Sequence, residues 1–356
     1  MQKDFKNYSS LTISGTPYTD GELLALCNKK LQVNGLPAWE KSFYRFLSEW
    51  LNDVPFVVVK TSGSTGSPKT IKVAKSALLQ SAFNTLFFFN LIEGQTALLC
   101  LPCDYIAGKM MVVRAFAGNL NLIPVSVSGT PLSSLQHPVD FAALTPFQMS
   151  NELRKNQKKM QLLKTVILGG SVVGEGLTKQ LLHQPFEAWE TYGMTETLSH
   201  VALRPINGTK KEKYFTPLPN VTILSDNRGC LTIDAPGITE GTIVTNDLAE
   251  MTNNGKFRIL GRIDNIINSG GIKISPEELE AQIVELISCP FFISSLPHPQ
   301  LGQELVLVTE KPPQDENHLL NEIRKMVPPH HVPRKIIIRN PLPRTENGKI
   351  KRILNI

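Results

Sequence analysis

Over residues 37–53, PAWEKSFYRFLSEWLND, the apolar side chains Trp39, Phe43, Phe46, Leu47, Trp50 and Leu51 fall at helical spacing. That period predicts a helix with one broad apolar face, made to pack on a core. The pattern then changes. Residues 55–60, PFVVVK, are a β-branched run that reads as a buried strand. After an intervening TSGSTGSPKT, Ile71-Lys72-Val73-Ala74 alternates apolar and polar like a second strand, and helical spacing resumes only near Ser76 with SALLQSAFNTLFFF.

Further on, β-rich runs and helical patterns take turns through TALLCLP, MMVVRAFA, NLNLIPV, DFAALTP, KTVILGG, GLTKQLLHQ and AWETYG. Such alternation implies an α/β architecture layered on a parallel sheet. From Asn220 the chain turns to short strands and frequent turns, VTILSDNRGCLTID and GTIVTNDLAEMTNNGKFRIL, as expected of an antiparallel sheet or small β-barrel. A helix start follows, with Ser275 as cap, Pro276 at the first helical position and Glu278 completing a capping box. We read residues 1–261 as a large N-terminal domain. Residues 262–356 read as a small α+β C-terminal domain: helix, FFISSLP, ELVLVTE, helix ENHLLNEIRKM, strand KIIIRN and a basic tail.

Composition changes this picture little. The 356 residues are 41% hydrophobic and 19% charged, ordinary for a folded chain. The start lacks a signal-peptide apolar core and no apolar run reaches the length of a membrane span, so a cytoplasmic protein is expected. Five scattered cysteines fit reduced thiols, and the Cys100-Leu-Pro-Cys103 pair, with no second pair, reads as the end of a buried strand. The net charge of +6 is uneven: nine Lys or Arg and one acid, Glu346, lie over residues 324–352. This tail could meet an anion, but no zinc-finger or RNA-recognition signature accompanies it, so no nucleic acid is expected.

The stretch TSGSTGSPKT fits the phosphate-binding pattern GxxxxGK[ST] from Gly63 except at Pro68, which stands where glycine is wanted. A phosphate loop of that kind runs straight into a helix whose amides hold the anion. Here a strand follows, and Pro68 removes an N–H. The loop therefore handles phosphate, if at all, by another geometry.

Five motifs stand in a fixed order: TSGSTGSPK, LGGS at 168–171, TYGMTE at 191–196, TND at 245–247 with GRIDNIINSGG at 261–271, and PRTENGKIKR at 343–352. Alone, each marks a turn, a strand end or a solvated charge. Together they resemble the adenylate-forming superfamily of acyl-CoA synthetases, luciferases and nonribosomal adenylation domains. The resemblance implies ATP, Mg²⁺ and CoA as partners. It implies that Thr61, Ser62, Gly63, Ser64, Thr65, Gly66 and Lys69 lie over the β and γ phosphates, hydroxyls, amides and a point charge being suited to them. Glu196 would hold magnesium, which takes oxygen ligands, and Thr195 would meet the α-phosphate. Tyr192 and Gly170-Ser171 would flank adenine; Asp247 and Arg262 would hold the ribose. Lys349 would bridge carboxylate and α-phosphate, neutralising crowded negative charge. Asp264 matches the family's hinge, and Gly270-Gly271 the loop lining the pantetheine tunnel. Two letters depart from the pattern: Thr70 and Asn246 stand where glycine is usual.

Arg114 interrupts the apolar run MMVVRAF, where a helix would bury it. An unpaired buried guanidinium is costly, so it should meet an anion: a neighbouring Asp or Glu, or a second carboxylate on the substrate. LPxxxIAGxxxxxRA and YGMTET are similar to the o-succinylbenzoate–CoA ligases of menaquinone biosynthesis, in which an arginine at this place faces the succinyl carboxylate. Tyr105 stands where many of them carry histidine, at the pocket's gate. The resemblance also implies that much of the family's first N-terminal subdomain is missing before Thr61, leaving surface that a homodimer would cover. The alternatives are another aryl- or acyl-CoA ligase, a stand-alone adenylation enzyme loading a carrier protein, and a nucleotide- or RNA-binding protein without chemistry; the presence of Lys349, Glu196, Asp247 and Arg262 disfavours the last.

Overall fold

The computed structural model describes residues 4–60, 70–344 and 350–352. Contacts divide the chain into two units, Met1–Thr222 with Ile233–Ile243, and Ile223–Thr232 with Val244–Ile356.

In the first unit, six strands run parallel at the centre of a nine-stranded sheet: Glu187–Gly193, Leu163–Leu168, Val139–Leu144, Thr96–Leu99, Asn121–Pro124 and Leu11–Ile13, in that spatial order. Antiparallel neighbours His200–Pro205 and Thr216–Pro217 extend one side, and Thr16–Tyr18 the other. A strand covered on both faces needs a near-continuous apolar run, which LKTVIL and VDFAAL supply. Leu98, Leu144, Met149, Val166, Leu168 and Phe186 pack into one core cluster.

The helix Ala38–Leu51 buries Phe43, Phe46, Leu47 and Trp50, the face its period predicts. Trp50 stacks on Phe116 with ring centroids 5.8 Å apart. Phe56–Lys60 pairs antiparallel with Thr70–Ala74, Lys60 opposite Thr70, and the helix Lys75–Phe89 begins only afterwards. A strand therefore stands on each side of residues 61–69, as expected, and a strand rather than a helix follows them. Residues 61–69, with the site candidates Thr61, Ser62, Gly63, Ser64, Thr65, Gly66 and Lys69, lie outside the described residues.

The helix Ile106–Gly118 starts against the segment before it: a Cβ on Gly108 would fall 2.3 Å from the Pro102 carbonyl oxygen. Only glycine permits that approach, which explains its place in IAG. All five cysteines are free thiols. Burial pushes Cys100 and Cys103 up to about 12, so neither is a ready nucleophile.

In the second unit, Thr222–Ser225, Cys230–Asp234, Ile243–Met251 and Phe257–Arg262 form a four-stranded sheet in sequence order. A five-stranded sheet follows, with Phe291–His298 paired along its whole length to Gly302–Thr309. The helices Pro276–Ile283 and Glu316–Met326 bury Leu279, Ile283, Leu319 and Ile323 against Ile293, Leu305 and Leu307. Ser275 caps its helix, accepting from Glu278 N at 3.4 Å, but its own proton goes to the Leu260 carbonyl at 3.0 Å. Glu278 returns no bond to the Ser275 backbone N–H among the described residues, so the expected capping box is half formed. Three cations of the basic tail, Lys325, Lys335 and Arg352, are answered by Glu322, Glu304 and Glu280. No described helix is long and apolar enough to cross a membrane.

One buried charge organises the start of the first unit. Lys75 donates to the carbonyls of Trp50 (2.8 Å) and Asn52 (2.6 Å) and to the Asn52 side-chain oxygen (3.1 Å), capping the end of the Ala38–Leu51 helix. Burial pushes its amine down to about 8, against the upward pull of Glu49 and Asp53. The unfolded lysine, near its ordinary value of 10.5, binds more protons than the folded one between these two values, so this group's contribution to stability rises with pH across that window. Relative to Lys75→Met, the wild-type Tm should therefore climb from pH 8 to pH 10; a constant difference between the two melting curves would show that the amine is not so shifted.

Candidate functional site

The ends of the parallel strands carry the first group of candidate residues, as is general for open α/β sheets. Leu163–Leu168 and Glu187–Gly193 are paired, Leu168 opposite Glu190. Gly170 and Ser171 leave the first of these strands and Tyr192 is the last residue but one of the second, so the residues implied to flank adenine are brought together. Gly170 has φ +86°, a left-handed bend. Glu190, buried, fixes the two strand ends: its Oε1 accepts from Val173 N at 2.9 Å and its Oε2 from Arg204 Nε at 2.7 Å. Thr191 Oγ1 donates to the Leu168 carbonyl at 3.1 Å. Tyr192 is half-buried, its ring centroid 6.0 Å from that of Phe215.

The turn that follows is tight and strained. A Cβ on Gly193 would fall 2.3 Å from the Ser199 carbonyl oxygen, and Leu198, though branched, is held at φ +62°. The buried Thr197 hydroxyl closes the loop, accepting from Met194 N at 2.9 Å and donating to the Ser199 carbonyl at 2.7 Å. Thr195 and Glu196 are presented at its crest, Glu196 exposed. No cluster of three metal-ligating side chains exists among the described residues. A single exposed carboxylate nonetheless fits magnesium, which binds through one or two carboxylates plus substrate phosphates.

Arg114 is buried in the Ile106–Gly118 helix at 2% exposure, as the sequence implied, but the first of the two expected anions, a neighbouring Asp or Glu, does not accompany it. No carboxylate pairs with it among the described residues. Its Nη2 donates instead to the neutral Ser199 Oγ at 2.8 Å, and its Nε–H has no partner there. Burial pushes the guanidinium down to about 9, which leaves it cationic at neutral pH. His200, beside Ser199, is pushed well below its usual 6.5 by burial and then by the charge of Arg114, and so is neutral. Tyr105 precedes the first turn of the same helix, nine residues or about 13 Å of rise from Arg114, so the two candidates sit near opposite ends.

In the second unit, Asp247 and Arg262 face each other across paired strands, with Nη1 to Oδ1 at 3.3 Å. Arg262 Nη2 also reaches Asp264 at 2.9 Å, and this cation is the main reason the Asp264 carboxyl lies below its ordinary value. Asn246 donates to both oxygens of Asp264, at 3.0 and 3.1 Å, and is itself held by Arg228. The ribose and hinge candidates thus share one network. Gly270 and Gly271, at φ +60° and +84°, make the two-residue turn between Ile267–Ser269 and Ile272–Ile274, a hairpin geometry that needs left-handed backbone at both positions. Lys349 lies outside the described residues; Arg344 and Ile350 on either side of its segment form an antiparallel bridge.

Glu190, Ser199 and His200 were not among the sequence candidates. Their only signal was position, an acid inside the apolar strand AWETYG and two polar residues directly after TYGMTETL.

The sequence model of the AMP-binding enzyme family matches residues 25–246, more than half of the chain. The 2-succinylbenzoate–CoA ligase of Salmonella typhimurium is 31% identical over 259 residues, 68% of this chain and 55% of that protein. The chain spans about half the length of the curated relatives it matches, 51% for the Escherichia coli ligase of the same name. Among solved structures, an acyl-CoA synthetase (AMP-forming)/AMP-acid ligase II-like protein from Dyadobacter fermentans is 35% identical, with a TM-score of 0.63 over 92% of this chain and 96% of that one. The Bacillus subtilis o-succinylbenzoate coenzyme A synthetase in complex with ATP and magnesium ion matches at a TM-score of 0.75 over 97% and 96% of the two chains; at 17% identity this is a likeness of fold. A central parallel sheet carries the candidate residues at its strand ends, and a family match that runs through both strand-end motifs places this chain in the AMP-binding enzyme family.

Proposed function

We propose that this chain is an ATP-dependent acid–CoA ligase that converts o-succinylbenzoate to o-succinylbenzoyl-CoA through an acyl adenylate, a step of menaquinone biosynthesis. The observation that carries the choice of acid is Arg114, a buried cation with no described carboxylate partner and an unpaired Nε–H. Adenylation consumes one carboxylate of the acid, so an anion for Arg114 must be a second one. The names of the Salmonella and Escherichia coli relatives support the same substrate.

In this reading a carboxylate oxygen of the acid attacks the α-phosphorus, the bond from that phosphorus to the bridging oxygen breaks, and pyrophosphate leaves. Thr195 meets the α-phosphate and Lys349 neutralises the crowded charge between acid and phosphate. Glu196 would hold magnesium, which when bound supplies further neutralisation of the phosphates. Thr61, Ser62, Gly63, Ser64, Thr65, Gly66 and Lys69 contact the leaving pyrophosphate; Tyr192 with Gly170 and Ser171 takes adenine, and Asp247 with Arg262 takes ribose. The CoA thiolate then attacks the acyl carbonyl, forming the C–S bond and expelling AMP, after a body beginning at residue 262 has turned about Asp264 and brought Gly270 and Gly271 to the pantetheine arm. A CoA acceptor is favoured over a carrier protein by the names of the Salmonella and Escherichia coli relatives, both CoA ligases.

With ATP and CoA, AMP release should be faster for o-succinylbenzoate than for benzoate or aliphatic monocarboxylates, and Arg114→Ala should raise KM for the dicarboxylate about 100-fold, the cost of leaving one partner of a buried charge-assisted contact unmet. A preference for benzoate, or an unchanged KM in Arg114→Ala, contradicts the substrate assignment.

Lys349→Ala should abolish acid-dependent pyrophosphate exchange while sparing thioester formation from supplied o-succinylbenzoyl adenylate. Equal loss of both halves would mean that the two steps share one arrangement of the chain.

A further inference from the structure

Arg114 is one end of a buried hydrogen-bonded chain that runs across three elements. Its Nη2 donates to Ser199 Oγ (2.8 Å); Ser199 Oγ lies 3.3 Å from His200 Nδ1; His200 Nε2 lies 3.1 Å from Thr85 Oγ1; and Thr85 Oγ1 donates to the Ser81 carbonyl at 3.2 Å. Thr85 is fully buried and His200 is 6% exposed.

The direction of every bond is fixed from the two ends. A guanidinium only donates and a carbonyl only accepts. Ser199 accepts from Arg114 with one lone pair and donates its proton to His200 Nδ1, because Thr85, committed to the Ser81 carbonyl, can only accept from the ring, which puts the hydrogen of the neutral imidazole on Nε2. That hydrogen goes to Thr85, whose own proton ends on Ser81. One tautomer satisfies all four links. The depressed basicity of His200 agrees with it.

We propose that His200, backed by Thr85, is a positioning residue for recognition of the acid's second carboxylate: it parks the Ser199 proton away from Arg114, so that Ser199 anchors the guanidinium as a pure acceptor and the unpaired Nε–H is held ready for an anion. Without an acceptor at Nδ1 the Ser199 proton is unmet, and the side chain is free to rotate away from Arg114 towards another acceptor. Arg114 then loses its anchor and must be ordered by the substrate itself, a cost paid in binding rather than in chemistry. The same chain links the substrate helix to the turn bearing Thr195 and Glu196, because the Ser199 carbonyl is gripped by Thr197 Oγ1 at 2.7 Å.

This inference rests on the reading of Arg114 as partner of a dicarboxylate, and the test separates the two. Steady-state kinetics would be measured for His200→Leu, His200→Asn, Thr85→Val and Arg114→Ala with o-succinylbenzoate, with benzoate and with ATP varied in turn. His200→Leu should raise KM for o-succinylbenzoate about tenfold, with kcat and the KM values for ATP and benzoate within twofold of wild type. Asn carries an oxygen at the reach of Nδ1, so His200→Asn should recover most of the loss; Thr85→Val should cost about threefold. If Arg114→Ala raises KM for o-succinylbenzoate while His200→Leu leaves it unchanged or weakens all three ligands alike, the positioning role is wrong and the substrate reading stands. An Arg114→Ala enzyme with unchanged KM overturns both.

Discussion

A guanidinium withdrawn from water must have its hydrogens answered, and the first unit is arranged around that requirement. Arg114 sits at 2% exposure on an otherwise apolar helix face, with no described carboxylate to pair with. Its described partner is the neutral Ser199, and His200 beside it is kept neutral by burial first and by the arginine's charge second. Polar groups in a dry interior constrain one another more tightly than apolar ones do, since each donor needs an acceptor in the right direction. The arginine therefore fixes not only its own helix but the segment that follows the TYGMTE turn.

That turn shows the backbone cost of the arrangement. Gly193 lies where no Cβ fits, Leu198 occupies a left-handed conformation, and Thr197 is buried with its hydroxyl closing the loop. Strain of this kind persists when surrounding packing over-determines it, and here it lifts Thr195 and Glu196 to the surface beside the ends of two parallel strands. Glu190 performs the complementary task on the buried side, joining Val173 and Arg204 and so holding the Gly170-Ser171 segment beside Tyr192. In the second unit Asn246, at a position where the family usually has glycine, supplies two hydrogen bonds to Asp264 that a glycine could not make.

Local periodicity carried well where one face of an element decides its burial. The helix at Ala38–Leu51, the paired strands either side of the TSGSTGSPK loop and the order of the C-terminal elements were legible for that reason. The capping box at Ser275 was legible in half: the serine accepts from Glu278 N as its spacing predicts, but it also donates to Leu260, a long-range partner that spacing does not reveal. Arg114 was recognised as buried from the letters around it, whereas its partner was not, because a serine 85 residues away carries no mark of its neighbour in the linear chain. Lys75 was likewise invisible as a buried cap, being one lysine at the start of an apolar helix.

The sequence alone determined the alternation of strands and helices, the family to which five ordered motifs point, and the residue types able to hold phosphate, magnesium and a carboxylate. These follow from short-range rules: period, turn chemistry and the charge a side chain bears. The tertiary structure decided which polar groups answer one another. It placed Ser199, His200 and Thr85 in line with Arg114, and Glu190 against Val173 and Arg204. Hydrogen-bond direction and desolvation depend on what surrounds an atom in space, and only folding brings those surroundings together.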